Sequence, residues 1–208
     1  MNAQRVPIYL ALSVFLTSST VLCGDGVIEI NMARVKAGGV TASDAPGFSV
    51  TLDQPGSYRF TGNLDLRNET LPQNVRPIRV DAGDVTIDFN GFEIIGNVTC
   101  PSGPQNCSPT LGVGIGVWGP AQTANNLTLR NGTIRGLGRR GVQINTGDGT
   151  VVENMRIFEN WDNGVNLGDH CLIRNSQFAL NGNLAINAFS GSMAVANTLE
   201  ANGETAAA

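Results

Sequence analysis

The most regular pattern in the chain lies between Leu127 and Asn197, where apolar and polar residues alternate over short stretches that meet an asparagine. The stretches read LTLRNGTI, TVVENMRI and CLIRNSQF, with a weaker fourth, MAVANTLE. Alternation with a period of two is typical of a strand with one buried face. The asparagines Asn131, Asn154, Asn175 and Asn197 follow one another at a nearly constant interval. A repeat of about 22 residues that recurs in this way predicts a solenoid.

Each asparagine is taken as a reference position, called the anchor, from which the other positions of its repeat are counted. If each repeat is one coil of a parallel β-helix, equivalent residues stack about 4.8 Å apart. Two positions before the anchor, the pattern predicts an inward apolar column of Leu129, Val152, Ile173 and Val195. One position before it, an outward column of alternating charge is expected at Arg130, Glu153 and Arg174, with the uncharged Ala196 in the equivalent position of the fourth repeat. The asparagines themselves are predicted to form an amide ladder in a turn, because Asn tolerates the left-handed conformation.

Paired helices are the main alternative to strands for a repeat of this length. The alternating segments are soon interrupted by Asn or Gly, which makes them too short for helix pairs. Glycine makes up 26 of 208 residues, and the apolar strand positions are rich in Val and Ile, which favours strands. The sequence therefore predicts an all-β chain that is wound as a single-stranded parallel β-helix.

The N-terminal segment, residues 1–24, reads as a secretory signal, with Arg5 in the basic region and an apolar core from Ile8 to Leu16. Lipidation at Cys23 and an apolar helix packed on the domain are the alternatives, although the large Leu22 before the cysteine disfavours lipidation. Residues 25–75 are predicted to form an N-terminal cap and the first coil, residues 76–203 the remaining coils, and residues 204–208 a disordered tail. The cap is expected to be an amphipathic helix over residues 25–39, because the open end of a solenoid must be covered.

An earlier coil is expected around Asn90, where Val85 and Ile87 resemble the apolar pair before Asn131 with one inserted residue. Asn90 and Asn131 are almost two repeats apart, which leaves a long loop that carries Cys100 and Cys107. In an exported protein these two cysteines are expected to form a disulfide, with metal ligation as the alternative. Cys171 falls on an inward strand position and is expected to be a buried thiol.

Charge and hydropathy exclude two classes of partner. The net charge is −4 and Lys36 is the only lysine, so a nucleic-acid partner is not expected. After the signal, no apolar run is long enough to span a bilayer.

The strings IEINMARVKAGG, GFSVTLDQPGSYRFTGNL, VTIDFNGFEIIGNVTC and NLTLRNGTIRGLG resemble exported bacterial proteins with right-handed parallel β-helix repeats, within the pectin-lyase-like superfamily. The resemblance covers roughly residues 27–202 and implies a right-handed coil. The superfamily includes pectate lyases, polygalacturonases, alginate lyases and phage tailspikes, so fold membership alone does not fix an activity.

The resemblance implies a ligand surface on the outer face of the first strand of each coil. These strands are predicted at residues 115–117, 142–144, 165–167 and 186–188, with Gly116, Gln143, Asn166 and Asn187 facing outward. Amides bind sugar hydroxyls as donors and acceptors but cannot act as a general acid or base. Trp118 and Trp161 lie beside these strands, where they either stack on a sugar ring or pack in the turns.

Candidate catalytic groups are few. Asp148 and Asp169 lie one repeat apart and are expected to stack on adjacent coils, with Asn125 one coil earlier. A carboxylate pair of this kind binds Ca²⁺ or shares a proton, and the alternative is that both are ordinary turn residues. Arg139 and Arg140 are expected either to grip an acidic sugar or to be solvated. His170, the only histidine, reads as a turn residue, and the aspartate, histidine and arginine motifs of polygalacturonases and pectate lyases are absent.

These observations favour an exported protein, secreted, periplasmic or at the cell surface, that binds a polysaccharide without a catalytic constellation. The alternatives are a polysaccharide lyase or glycoside hydrolase that acts on an acidic polysaccharide, and a structural solenoid without a small ligand. No cofactor is expected apart from the Ca²⁺ alternative. The last coil is expected to be covered by another chain, or else the sequence is a fragment.

Overall fold

The computed structural model describes residues 26–69, 75–101, 103, 106–109, 114–120 and 122–203. The predicted signal, residues 1–24, and the predicted tail, residues 204–208, lie outside these ranges. One helix occurs in the described residues, α1 (Met32–Ala37). The strands are β1 (Val27–Ile30), β2 (Val50–Leu52), β3 (Gly56–Phe60), β4 (Leu64–Asp65), β5 (Ile78–Val80), β6 (Val85–Asp88), β7 (Glu93–Ile95), β8 (Val117–Trp118), β9 (Thr128–Arg135), β10 (Val142–Ile144), β11 (Val151–Phe158), β12 (Val165–Leu167), β13 (Leu172–Arg174), β14 (Gln177–Ala179), β15 (Ile186–Asn187), β16 (Met193–Val195) and β17 (Thr198–Glu200).

The described strands form two sheets in which neighbouring strands run parallel. The first sheet has the order β2, β5, β8, β10, β12, β15. The second sheet has a leading half, which follows β1, β3, β6, β9, β11, β13, β16, and a trailing half, which follows β4, β7, β9, β11, β14, β17. The chain visits the first sheet, the leading half and the trailing half in turn and then repeats the circuit. The predicted all-β parallel β-helix is therefore confirmed.

The register confirms the inward columns of the central coils. Val152 pairs with Leu129 on one side and Ile173 on the other, and all three are fully buried. In the outward column Glu153 lies between Arg130 and Arg174, and the Arg174 Nε donates to Glu153 at 2.8 Å. The alternation of charge therefore lets adjacent coils attract each other, as expected for cross-strand pairs.

Each coil turns at corners where one residue has a left-handed backbone. The φ angles at these positions lie between 47° and 71°. Asn, Asp and Gly tolerate this conformation best, because a Cβ otherwise approaches the following carbonyl oxygen. The three corner columns are Asp84, Asn126, Gly149, His170 and Gly191; Asn131, Asn154, Asn175 and Ala196; and Gly136, Glu159, Leu180 and Ala201.

The predicted anchor of the fourth coil is wrong by one residue. Ile173 pairs with Ala194 and Arg174 pairs with Val195, so Ala196 and not Asn197 occupies the corner. Asn197 turns its side chain toward the preceding coil and accepts a hydrogen bond from the Ser176 N–H at 3.0 Å. Asparagine therefore occurs both at the corner and at the position that follows it, so its identity alone does not mark the corner.

The inserted segment near Asn90 is longer than predicted. Asp88 pairs with Arg130 and Glu93 pairs with Thr133, which leaves residues 89–92 opposite residues 131 and 132. The insertion is therefore one residue longer than the sequence indicated. Its Phe89 turns inward and stacks on Phe60 with ring centroids 4.5 Å apart, so the extra length supplies core.

The N-terminal cap combines a strand with a helix. Residues Val27–Ile30, predicted as helical, form β1 and pair in parallel with β3. The helix begins only after Asn31, whose side chain accepts a hydrogen bond from the Arg34 N–H, and it buries Val35. Pairing with β3 satisfies the backbone groups of the first strand edge, which a helix over the same residues would have left exposed.

Candidate functional site

The outer face of the first sheet presents one column of side chains. Its register places Trp118 beside Gln143 and Arg79 beside Trp118. The full column is Thr51, Arg79, Trp118, Gln143, Asn166 and Asn187. Gly116, predicted to face outward in this column, is instead buried, and a Cβ there would lie 2.7 Å from the Gly141 carbonyl oxygen. Trp118 takes its place because β8 begins only at Val117, later than predicted.

Three amides, the amide column, extend along this face: Gln143, Asn166 and Asn187. The Asn187 Nδ2 donates to the Asn166 Oδ1 at 3.0 Å, and Asn166 is buried, with 5% of its surface exposed. The Gln143 Oε1 is buried and has no hydrogen-bond partner among the described residues. A buried acceptor left unsatisfied costs free energy, so the Gln143 amide is not held in place by hydrogen bonds from the described residues through this oxygen.

Sequence reasoning missed the most charged part of this face, where Arg76 and Arg79 meet Trp118. The Arg76 guanidinium carbon lies 3.7 Å from the centroid of the Trp118 ring, and that of Arg79 lies 5.3 Å from it. Arg79 also forms an ion pair with Asp81 at 2.8 Å. Trp118 therefore holds Arg76 by a cation–π contact, and that contact occupies one face of the ring.

Arg139 completes what we call the arginine–tryptophan cluster: Arg76, Arg79, Trp118 and Arg139. Burial, followed by the like charges of Arg139 and Arg79, lowers the pKa of the Arg76 guanidinium. Within the described part of the chain, neither Arg76 nor Arg139 forms an ion pair. Positive charge is thus gathered at this end of the face, and an anion would relieve the repulsion.

The signal for Arg79 was present in the sequence. It stands between Ile78 and Val80, which both face the core, so strand alternation places it outward. Its contact with Trp118 depends on the pairing of β5 with β8, which are separated in the sequence by the long loop that carries the disulfide. No local sequence pattern reveals this pairing.

Arg140 and Trp161 lie in the corners that lead into β10 and β12. The Arg140 Nε donates to the Asp162 Oδ2 at 2.8 Å, and both side chains are mostly buried. Trp161 lies next to Asp162, with 40% of its surface exposed. Arg140 is therefore already neutralised, while Trp161 remains accessible at the same corner.

Asp148 and Asp169 lie at a different corner, between the first sheet and the leading half of the second. The Gly149 N–H donates to the Asp169 carbonyl oxygen, and the Asp148 N–H donates to the Asn125 side chain, so the three positions stack as predicted. The strand β10 separates this corner from Arg139 and Arg140. His170 adopts the left-handed conformation of a corner residue.

The described residues contain no group of three His, Cys, Asp or Glu side chains arranged to hold a metal ion. Cys100 and Cys107 form the predicted disulfide. Cys171 is a buried thiol, as predicted, and burial raises its pKa. No helix in the described ranges combines the length and the apolarity needed to cross a bilayer.

Comparison with known proteins identifies the fold family. The family model for the right handed beta helix region matches residues 78–208, which is more than half of the chain. No match to a curated protein or to a solved structure reaches significance. Together with the parallel coils and the stacked corners, this match shows that the chain belongs to the right-handed β-helix family.

Proposed function

We propose that the protein binds an acidic polysaccharide along the outer face of the first sheet and does not cleave it. The observation that carries the proposal is the arginine–tryptophan cluster, in which Arg76 is held against Trp118 without a carboxylate partner among the described residues. Arginine recognises carboxylates through paired N–H groups, so a uronic acid carboxylate suits this end of the face.

The amide column extends the same surface in the direction of successive coils. The partly exposed Gln143 lies next to Trp118, and Asn166 and Asn187 follow at the spacing of parallel strands. Amides exchange hydrogen bonds with hydroxyl groups in both directions. A glycan laid along the column would place a charged residue against the arginines and hydroxyl groups against the amides.

The chain is proposed to act outside the cytoplasm, as an exported member of the pectin-lyase-like superfamily. The Cys100–Cys107 disulfide supports an oxidising compartment, since such bonds are rare where cellular thiols stay reduced. The apolar segment before residue 24 supports export in the same way.

Binding is tested with a polyuronate and with the same polymer after esterification of its carboxylates. We expect the purified protein to bind the charged polymer and to lose at least tenfold in affinity for the esterified one. The affinity should also fall as salt rises, because exposed charges are screened within about 10 Å at 0.1 M ionic strength. Equal affinity for both polymers would contradict the proposal.

The matched variants are Arg76→Gln and Arg59→Gln. Both remove one positive charge, but Arg59 is an exposed outward residue of β3 on the second sheet. Arg76→Gln is expected to weaken polyuronate binding about tenfold, whereas Arg59→Gln should leave it unchanged. Release of unsaturated product, abolished by Asp148→Ala, would show instead that the protein is a lyase.

A further inference from the structure

A recess of about 240 Å³ opens on the outer face of the trailing half of the second sheet, away from the first sheet. It is lined by outward side chains of β11, β14 and β17. In the column that runs from Arg135 to Phe158, Ala179 and Glu200, the small Ala179 stands between two larger side chains. Because the side chain of Ala179 is only a methyl group, space is left between Phe158 and Glu200, and this space is the recess.

The walls of the recess combine an aromatic ring with hydrogen-bonding groups. Phe158 forms the apolar side, and the guanidinium carbons of Arg156 and Arg135 lie 5.6 and 5.9 Å from its ring centroid. Gln177 and Thr198 line the recess from the neighbouring column and supply an amide and a hydroxyl group. An aromatic wall beside several polar groups is the usual composition of a small-molecule site.

The charges around the recess balance. Arg156 and Glu200 both line it, and neither forms an ion pair in the described residues. Arg135, at the edge, is neutralised by Glu93 through an ion pair at 3.0 Å. The recess thus presents one cation and one anion that remain available, whereas the arginine–tryptophan cluster has an excess of positive charge.

We propose that this recess binds one neutral sugar ring of a glycan. The C–H face of the sugar would pack on Phe158. Its hydroxyl groups would donate to the Glu200 carboxylate and accept from the Arg156 guanidinium, while Gln177 does either. A volume of 240 Å³ is below the range of about 300–1,000 Å³ typical of drug-sized ligands, so it fits a single ring rather than a cofactor.

The second site is independent of the proposed function, because it uses a different sheet face and a neutral ligand. If both sites act, one glycan or two neighbouring glycans engage the same molecule at two places. Linked sites of this kind raise the overall affinity without any new contact.

The test is a titration of ¹⁵N-labelled full-length protein with neutral tetrasaccharides of glucose, of galactose and of mannose, followed by NMR. At least one tetrasaccharide is expected to shift the amide signals of residues 177–179 saturably. Ala179→Met fills the recess from an outward position and should weaken this binding at least tenfold. The matched control is Thr128→Met, an outward substitution in the leading half, which should leave binding unchanged.

Circular dichroism and polyuronate binding are measured on the same samples. Ala179→Met should keep both, because neither the fold nor the first sheet depends on the recess. The proposal is overturned if no tetrasaccharide shifts residues 177–179, or if Ala179→Met binds as the wild type does. If the wild-type protein does not bind polyuronate, that result counts only against the function proposed for the first sheet.

Discussion

The chain carries two columns of asparagines that differ in where their side chains lie. The outer column, Asn131, Asn154 and Asn175, occupies a left-handed corner of the second sheet, and Asn154 and Asn175 are exposed. The inner column, Asn160, Asn181 and Asn202, directly follows another left-handed corner and points into the core, where Asn160 and Asn181 are fully buried.

Hydrogen bonding separates the two columns further. In the inner column the Asn181 Oδ1 accepts from the backbone N–H and the side-chain amide of Asn160, and its Nδ2 donates to Asn202 at 2.7 Å and to the Ile157 carbonyl at 3.0 Å. In the outer column the bond from Asn154 to Asn131 is 3.4 Å long. Buried polar groups must be satisfied, whereas solvated ones are satisfied by water.

The comparison indicates that the same residue type serves two purposes in one coil. The outer asparagines provide a left-handed backbone conformation, and the inner ones provide an amide that joins successive coils. The expected energetic costs of substitution therefore differ by the burial of the side chain and not by its chemistry.

The largest effect is expected for Asn181→Ala. This change leaves the backbone N–H and the side-chain amide of Asn160 without their acceptor in the core, and each unsatisfied buried group costs about 1–3 kcal/mol. The free energy of unfolding, measured in urea, should fall by about 3 kcal/mol. Asn183→Ala, at an exposed position of the same coil, is the matched control and should cost under about 0.5 kcal/mol. If Asn181→Ala and Asn183→Ala lowered the free energy of unfolding by similar amounts, burial of the inner asparagines would not explain their contribution to stability.

A smaller effect is expected for Asn154→Ala. Alanine lacks the local tolerance of asparagine for the left-handed corner, so the cost should be about 1 kcal/mol. Asn154→Gly relieves the backbone conformation and should stay within about 0.5 kcal/mol of wild type in the same urea experiment. If glycine proved as destabilising as alanine, the outer side chain would matter more than its backbone.

Acidification should lower the stability that the outer column contributes, because its first member, Asn131, is hydrogen-bonded to the carboxylate of Asp88. Burial by itself raises the pKa of Asp88, but hydrogen bonds from the Asn90 N–H and the Asn131 amide, together with the charge of Arg130, lower it overall. Because the folded pKa lies below the unfolded one, the stabilisation is present above about pH 4 and is lost as the pH falls through the folded pKa.

Thermal unfolding between pH 5 and pH 2, about the range in which carboxylates titrate, measures this loss. Asp88→Asn should reduce the slope of stability against pH in that range, since asparagine keeps an acceptor but does not titrate. The inner column contains no ionisable group, so Asn181→Ala should leave the slope as it is. An unchanged slope in Asp88→Asn would show that other carboxylates govern the acid response.

The smallest effect is expected for the ion pair between Glu153 and Arg174, in the column next to Asn154. About half of the Arg174 side chain is exposed, at 48%, so solvent screens the pair. A double-mutant cycle with Glu153→Gln and Arg174→Gln should give a coupling energy of about 0.5 kcal/mol. A coupling energy above about 1 kcal/mol would show that this surface ion pair contributes more to the free energy of unfolding than an exposed pair usually does.

Strand positions were predicted well because alternation decides them locally. Leu129, Val152 and Ile173 face the core as expected, and the charged column beside them faces out. The corners at Asn131, Asn154 and Asn175 were also predicted correctly, but the corner of the fourth coil was placed one residue late. The inner asparagines also recur once per coil, yet this column passed unnoticed, since spacing alone does not distinguish an asparagine that turns inward from one that turns outward.

The candidate binding face was predicted only in part. Gln143, Asn166 and Asn187 lie where the repeat placed them. Arg76 and Arg79 were missed, because their partner Trp118 is distant in the sequence and reaches them only after a long loop. The recess at Ala179 was also invisible, since a small residue on a strand carries meaning only when the side chains of adjacent coils are known.

The sequence by itself determined the repeat, the strand faces and the parallel stacking, because period-two alternation and a regular spacing of the asparagines suffice for them. Tertiary structure alone decided the fourth-coil register, the inward turn of Asn160 and Asn181, and the gathering of Arg76 with Trp118. The physical reason is that strand faces follow from local geometry, whereas corners and surface clusters depend on contacts between coils that are one or two repeats apart in the sequence.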